Sequence, residues 1–294
     1  MEFLKGSGVA MITPFKEDGE VDFEAVADVF EHIVKGGIDY VVVMGTTAET
    51  ATLSDQERDQ VVETIIKINK NRIPLVLGIG GNNTAAVVYS IKNTNLSAFE
   101  AVLSVCPYYT RPSQEGIYQH FKHIAEASPK PIILYNVPPR TGVSISNETT
   151  VRLAKDFPNI IGTKDATGDL ESVISLIDKA PKEFHVISGD DALALAVVIS
   201  GGSGVISVIG GALPYQVSQM IRLALNGEVV AAKVYQSQMM NLIQLIFKEG
   251  NPSGVKKLSE QLRLCSCKVR LPLIQASDEL SHSIFEAHKT MVKY

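Results

Sequence analysis

A lysine ends the short apolar run in residues 160–169, "IIGTKDATGD". An ammonium in a packed strand is costly unless it is paired or uncharged. Two readings of Lys164 follow. It can snorkel to water or pair with Asp165 or Asp169, as strand-end lysines do. It can also be a nucleophile, because burial disfavours the ammonium and frees the amine. A free amine attacks a carbonyl carbon, forms a carbinolamine and loses water to give a Schiff base. The protonated imine then acidifies the neighbouring C–H, which is covalent catalysis without a metal. Such chemistry needs proton carriers. Tyr135, in "LYNVPPRTG", lies one apolar run earlier and is a candidate, or else a core tyrosine. Thr46 and Thr47 follow Gly45 and offer two hydroxyls and two backbone amides to a carboxylate, or else form a plain turn. Arg140 can fork onto a second carboxylate or form a surface ion pair.

The elements that must position these groups alternate in kind. Val- and Ile-rich runs at 8–15, 40–45, 74–80, 100–108, 131–137, 160–166, 184–190 and 204–210 read as parallel strands covered on both faces. Amphipathic stretches separate them. Ser54 with Glu57 makes a capping box, Asp22 precedes one helix, and Gly36-Gly37 ends it. Eight such units predict an α/β fold, a (β/α)8 TIM barrel, over residues 1–227, with an open doubly wound sheet as the alternative. After Gly227 only helical patterns follow, so residues 228–294 read as a C-terminal helical extension. Active sites of such barrels lie at the C-terminal strand ends. Those ends carry "MGTTAET", "CPYYTRPS", Tyr135, Lys164, "SGDD" and "GVIS".

Composition narrows the function class. The 294 residues are 45% hydrophobic and 20% charged, with net charge −5 and no basic stripe for a nucleic acid. No uncharged apolar run approaches the roughly 18 residues of a membrane span, and the N-terminal segment does not read as a signal peptide. Cys106, Cys265 and Cys267 do not make a disulfide framework, which points to the cytoplasm.

"GTTAE" (45–49), "YNVPPRTG" (135–142) and "GTKDATGD" (162–169) resemble the signature segments of the dihydrodipicolinate synthase and N-acetylneuraminate lyase superfamily, pyruvate-dependent class I aldolases. The likeness runs from "GVAMITPF" to "GVISV", essentially the whole barrel. The double threonine, the paired tyrosines of "CPYYTRPSQEG" and the "RTG" point to the synthase branch; sialic-acid lyases typically show "GST". The resemblance implies a lyase that condenses pyruvate with L-aspartate-4-semialdehyde to 4-hydroxy-tetrahydrodipicolinate, in lysine and diaminopimelate biosynthesis, with no metal or organic cofactor. It implies that Lys164 forms the imine and that Tyr135, Thr46 and Tyr109 relay protons, Tyr109 in a neighbouring subunit's site. Thr47 and adjoining amides would hold the pyruvate carboxylate, Arg140 that of the second substrate, and Gly189 and Ile206 would flank the keto acid through their backbone. A homo-oligomer is implied, a tetramer built as a dimer of dimers. Ala48 replaces the commoner glycine of "GTTGE", and "NPSGVK" (251–256) replaces "NPIPVK", which leaves the tail packing less defined. In lysine-regulated members a glutamate and two histidines near the subunit interface serve the inhibitor. Here Ala86, Asp55 and Arg58 stand at those places, with Asn82 and Tyr108 retained, which predicts weak or absent inhibition by L-lysine.

Other readings stay open: an aldolase for a sugar acid or sialic acid, and a silent keto-acid sensor. "GIGGNN" (78–83) and "GGSG" (201–204) are weak phosphate signals, the latter on the face opposite the active site. His120 and His123 share a helix without a third metal ligand and read as a solvated face. Cys265 and Cys267 read as unrelated tail thiols.

Overall fold

The structure, a computed structural model, describes residues 2–291. Eight parallel strands close a barrel in chain order. The first four units are β1 (Gly6–Ala10), α1 (Phe23–Lys35), β2 (Tyr40–Val43), α2 (Asp55–Asn69), β3 (Leu75–Gly78), α3 (Thr84–Asn93), β4 (Ala101–Val105) and α4 (Gln114–Ala127). The next four are β5 (Ile132–Asn136), α5 (Pro138–Thr141), α6 (Asn147–Asp156), β6 (Ile160–Asp165), α7 (Leu170–Lys179), β7 (His185–Ser188), α8 (Ala194–Ile199), β8 (Gly204–Ser207) and α9 (Pro214–Leu225). Three helices follow: α10 (Val229–Lys248), α11 (Ser253–Gln261) and α12 (Asp278–Met291). The open sheet is thereby excluded. The first strand starts earlier and stops sooner than its apolar run, because the segment after Ala10 leaves the sheet. The final helical pattern extends to residue 294, and residues 292–294 lie outside the described residues.

Local signals set the helix ends. The Asp22 carboxylate accepts from the Ala25 amide, and the Ser54–Glu57 box is complete. Gly37, at φ 84°, turns the chain out of α1.

The apolar residues form two layers. Tyr40, Val42, Val76, Leu103, Ile133, Tyr135, Ile187 and Ile206 fill the barrel interior, and a larger shell packs the strands' outer faces against the helices. Removing this surface from water supplies about 25 cal/mol per Å² of apolar area.

One irregularity decides which way Lys164 faces. Ile132 pairs with Ile160, yet Ile133 pairs with Gly162, so β6 carries one extra residue, Ile161. Side chains alternate along a strand, and paired residues of parallel strands face the same side. The extra residue reverses the facing of everything after it. Lys164 therefore pairs with Tyr135 and points into the barrel, where an unbroken register would have put Thr163. A Cβ on Gly162 would lie 2.6 Å from the carbonyl oxygen of His185, so the close approach of β7 requires glycine there.

Candidate active site

Lys164 is 5% exposed, and its Nζ lies 4.5 Å from the centroid of the Tyr135 ring. The adjacent carboxylate is spent elsewhere: Asp165 accepts from the Thr167 amide (3.0 Å), the Thr167 hydroxyl (2.6 Å) and the Asn136 amide (3.4 Å). Burial raises the Asp165 carboxyl above the usual carboxylate range, against those hydrogen bonds. Gly189 lies beside the lysine stem. A Cβ there would be 3.0 Å from Lys164 Cε and 2.8 Å from the Ala166 Cβ. Ile206 is fully buried in the same interior cluster as Tyr135. Strands β5, β6, β7 and β8 thus bring four predicted residues, Tyr135, Lys164, Gly189 and Ile206, to one end of the barrel.

After β2 the chain turns through a 3-10 segment, Thr46–Ala48. The amides of Ala48 and Glu49 bond back to Gly45 and Thr46, while those of Thr46 and Thr47 have no acceptor inside the turn. The buried Thr13 hydroxyl donates to the Ala48 carbonyl (2.8 Å). The left-handed residues flanking this turn are Met44 (φ 58°) and Glu49 (φ 56°), so alanine at 48 carries no backbone strain. Thr47 is buried and Thr46 exposed.

Arg140 sits in α5, the single turn between Pro138 and the left-handed Gly142. Its Nη2 donates to the Asn251 carbonyl at 3.4 Å. Tyr109 is 88% exposed with φ 71°, and its amide donates to the Thr141 carbonyl. The chain alone does not bring the Tyr109 side chain to Tyr135; it projects from the surface.

Several contributors escaped sequence reasoning. The Asn251 Nδ2 donates to Thr47 Oγ1 at 2.9 Å. Lys256, fully buried, donates to Glu49 (2.5 Å) and to the Lys268 carbonyl (2.8 Å), and lies over the Phe15 ring. Burial pushes the Lys256 ammonium below the ordinary lysine range, opposed by Glu49. Arg270 forks onto Glu57 and holds its carboxyl down at about 2. Asp191, fully enclosed, accepts from the amides of Val208 and Ile209, both at 3.0 Å, and fixes the turn after β8. "NPSGVK" and "SGDD" were the available signals; the contacts of the first reach across more than 200 positions, and those of the second reach the next strand end, 17 and 18 positions on.

One other expectation changes. His120 does not sit on a solvated face: it is 4% exposed, and its Nδ1 shares a hydrogen bond with the Thr84 hydroxyl. Helix α3 covers it, which spacing along α4 alone could not reveal. No group of three or more metal-binding side chains occurs among the described residues. The three thiols are free, and burial raises each, Cys265 to about 12 and Cys267 to about 11. No described helix is long and apolar enough to cross a membrane.

A family model described as the dihydrodipicolinate synthetase family matches residues 3–290. The 4-hydroxy-tetrahydrodipicolinate synthase of Flavobacterium psychrophilum is 52% identical over 284 residues, covering 97% of each chain. The crystal structure of the chloride-inhibited dihydrodipicolinate synthase of Acinetobacter baumannii, complexed with pyruvate, superposes with TM-score 0.95 at 39% identity, over 98% of this chain and 99% of that one. The DHDPS of Cyanidioschyzon merolae with lysine bound superposes with TM-score 0.94 at 31% identity, over 99% of each chain.

Proposed function

The chain belongs to the dihydrodipicolinate synthetase family, and from that premise we propose that it condenses pyruvate with L-aspartate-4-semialdehyde to 4-hydroxy-tetrahydrodipicolinate, serving lysine and diaminopimelate biosynthesis. The observation that carries this reading is Lys164, buried beside the Tyr135 ring with its neighbouring carboxylate engaged elsewhere.

In the proposed mechanism the Lys164 amine attacks C2 of pyruvate, and the carbinolamine loses water to give a protonated imine. Tyr135, Thr46 and Tyr109 carry the protons that the dehydration requires. The imine withdraws electrons and acidifies the methyl C–H, whose proton passes to the proton relay; the resulting enamine attacks the aldehyde carbon of the second substrate, and the aldehyde oxygen takes up a proton from the same relay. That substrate's own amine then displaces Lys164 by transimination as the ring closes, which regenerates the free lysine. Each proton and electron pair is accounted for within the two substrates and the side chains.

Thr47, with the free amides of the turn, is assigned the pyruvate carboxylate. Arg140 is assigned the carboxylate of the semialdehyde, and Gly189 and Ile206 the backbone walls. Residues 1–227 form the catalytic unit in this proposal and residues 228–294 its helical extension. The exposure of Tyr109 supports a role across a subunit boundary, in a cytoplasmic homo-oligomer, a tetramer.

Borohydride reduction in the presence of pyruvate tests the covalent step. The expected product is the pyruvate adduct on the peptide containing Lys164; label on another lysine, or none, overturns it. A coupled assay with pyruvate and aspartate semialdehyde tests the substrate pair, and turnover of a sialic or sugar acid instead would favour another branch. Mixing Tyr109→Phe with Lys164→Ala chains tests the shared site, because hybrids then regain one intact site.

A further inference from the structure

Asn251 joins the helical tail to both groups that the proposed function assigns to substrate carboxylates. Its side-chain amide donates to the Thr47 hydroxyl at 2.9 Å, and its backbone carbonyl accepts from Arg140 at 3.4 Å. The residue is 7% exposed, and its Oδ1 is buried without a hydrogen-bond partner among the described residues. A residue serving packing alone gains nothing from an unsatisfied carbonyl.

The polarity of the Thr47 contact matters. A hydroxyl has one proton to give and lone pairs to accept with. Because the Asn251 amide occupies a lone pair, the Thr47 proton is free for another acceptor. Donor bonds then run in one direction, from amide to hydroxyl to substrate, and each strengthens the next. The opposite orientation of the carboxamide would take the hydroxyl proton itself and leave Thr47 only able to accept, which a carboxylate cannot use.

The geometry points to Asn251 as a positioning residue that aims the Thr47 hydroxyl proton at the pyruvate carboxylate. This role rests on the proposed function. It is confined to pyruvate, because Arg140 leans on the backbone of Asn251 and not on its side chain. The tail is independently anchored by Lys256 on Glu49 and Arg270 on Glu57, so side-chain changes at 251 leave its attachment in place.

The test is a pyruvate titration of borohydride trapping at Lys164, with steady-state KM for both substrates and a melting temperature for each variant. Asn251→Asp keeps the shape, replaces the donor by an acceptor and adds a negative charge. It should raise the half-saturating pyruvate concentration by about tenfold to a hundredfold, the effect of losing a hydrogen bond to a charged group. Asn251→Ala should raise it less, since it removes the donor without adding charge. KM for the semialdehyde should stay within about twofold in both. In a Thr47→Val background, Asn251→Ala should add no further effect, because the hydroxyl it orients is gone. An unchanged pyruvate half-saturation, an equal rise for both substrates, or full additivity with Thr47→Val would overturn the assignment and leave Asn251 as tail packing. Absence of trapping in the wild-type chain would overturn the imine reading itself, and this role with it.

Discussion

Replacing Gly189 by alanine should separate room for the lysine from stability of the barrel. The added Cβ would stand 2.8 Å from the Ala166 Cβ, 3.0 Å from the Asp165 carbonyl oxygen and 3.0 Å from Lys164 Cε. Gly189 is absent from the glycines with left-handed φ, so alanine suits its backbone and the penalty is steric. Two of the three contacts are to β6 and the residue following it, and the third is to the stem of Lys164 itself. Relief must come from moving β7 away from β6 or from swinging the Lys164 side chain. Overpacking of this kind costs about 1–3 kcal/mol. A displacement near 1 Å at a reacting group costs roughly a hundredfold in rate. The expected outcome is a melting temperature lower by several degrees and a rate of pyruvate trapping at Lys164 reduced by about a hundredfold. Trapping kinetics and melting temperature are both measurable on the same preparation. Wild-type trapping kinetics in a folded Gly189→Ala chain would refute the claim that the glycine keeps space for Lys164.

Three further outcomes are expected. Burial lowers His120 to about 4 from its ordinary 6.5, so the unfolded chain binds a proton that the folded chain refuses between those values. The contribution is complete above about pH 6.5 and lost as pH falls towards about 4, worth up to roughly 3 kcal/mol. His120→Gln should flatten the fall in melting temperature between pH 7 and 5, and an unaltered slope would contradict this. Removing the Glu49 partner from the buried Lys256 should destabilise the chain by about 3–5 kcal/mol, whereas Glu49→Gln with Lys256→Met should recover part of that loss, as read by denaturant midpoints. For L-lysine, Asp55 is engaged by Arg58 and Ala86 offers no carboxylate, so a titration of initial rate should give weak or no inhibition. The missing charge-assisted contact is worth roughly 1.5–3 kcal/mol, and half-maximal inhibition at submillimolar lysine would show that another group replaces it.

The barrel was legible because its signals are local. Val- and Ile-rich runs, the Ser54–Glu57 box and the Asp22 cap are each readable within a few residues, and every predicted strand run overlaps a strand. The presence of Tyr135 and Lys164 on adjacent strands followed from the order of those runs. The tail contacts were not legible. Asn251 meets Thr47 across 204 positions and Lys256 meets Glu49 across 207. No periodicity within α11, or in the turn that holds Asn251 before it, encodes either partner. His120 failed for the same reason, since its cover comes from α3 and not from its own helix.

The facing of Lys164 shows where such reading ends. An apolar run followed by lysine is consistent with either face of β6, and the two faces differ by one residue of register. The strand supplies that residue at Ile161, directly before Gly162. Glycine at 162 lets β7 approach within a distance that any side chain would forbid. Thr163, with 1% exposure, then takes the outer face, and Lys164 joins Tyr135 inside. The position of Lys164 is therefore set by a bulge and a close strand contact, neither of which is a property of the lysine. The same holds for Thr47, whose hydroxyl accepts a hydrogen bond from Asn251 in the tail, and for the turn after β8, held by Asp191. The side chains assigned to the chemistry come from motifs, while the atoms that aim them come from pairings that only the closed barrel brings together.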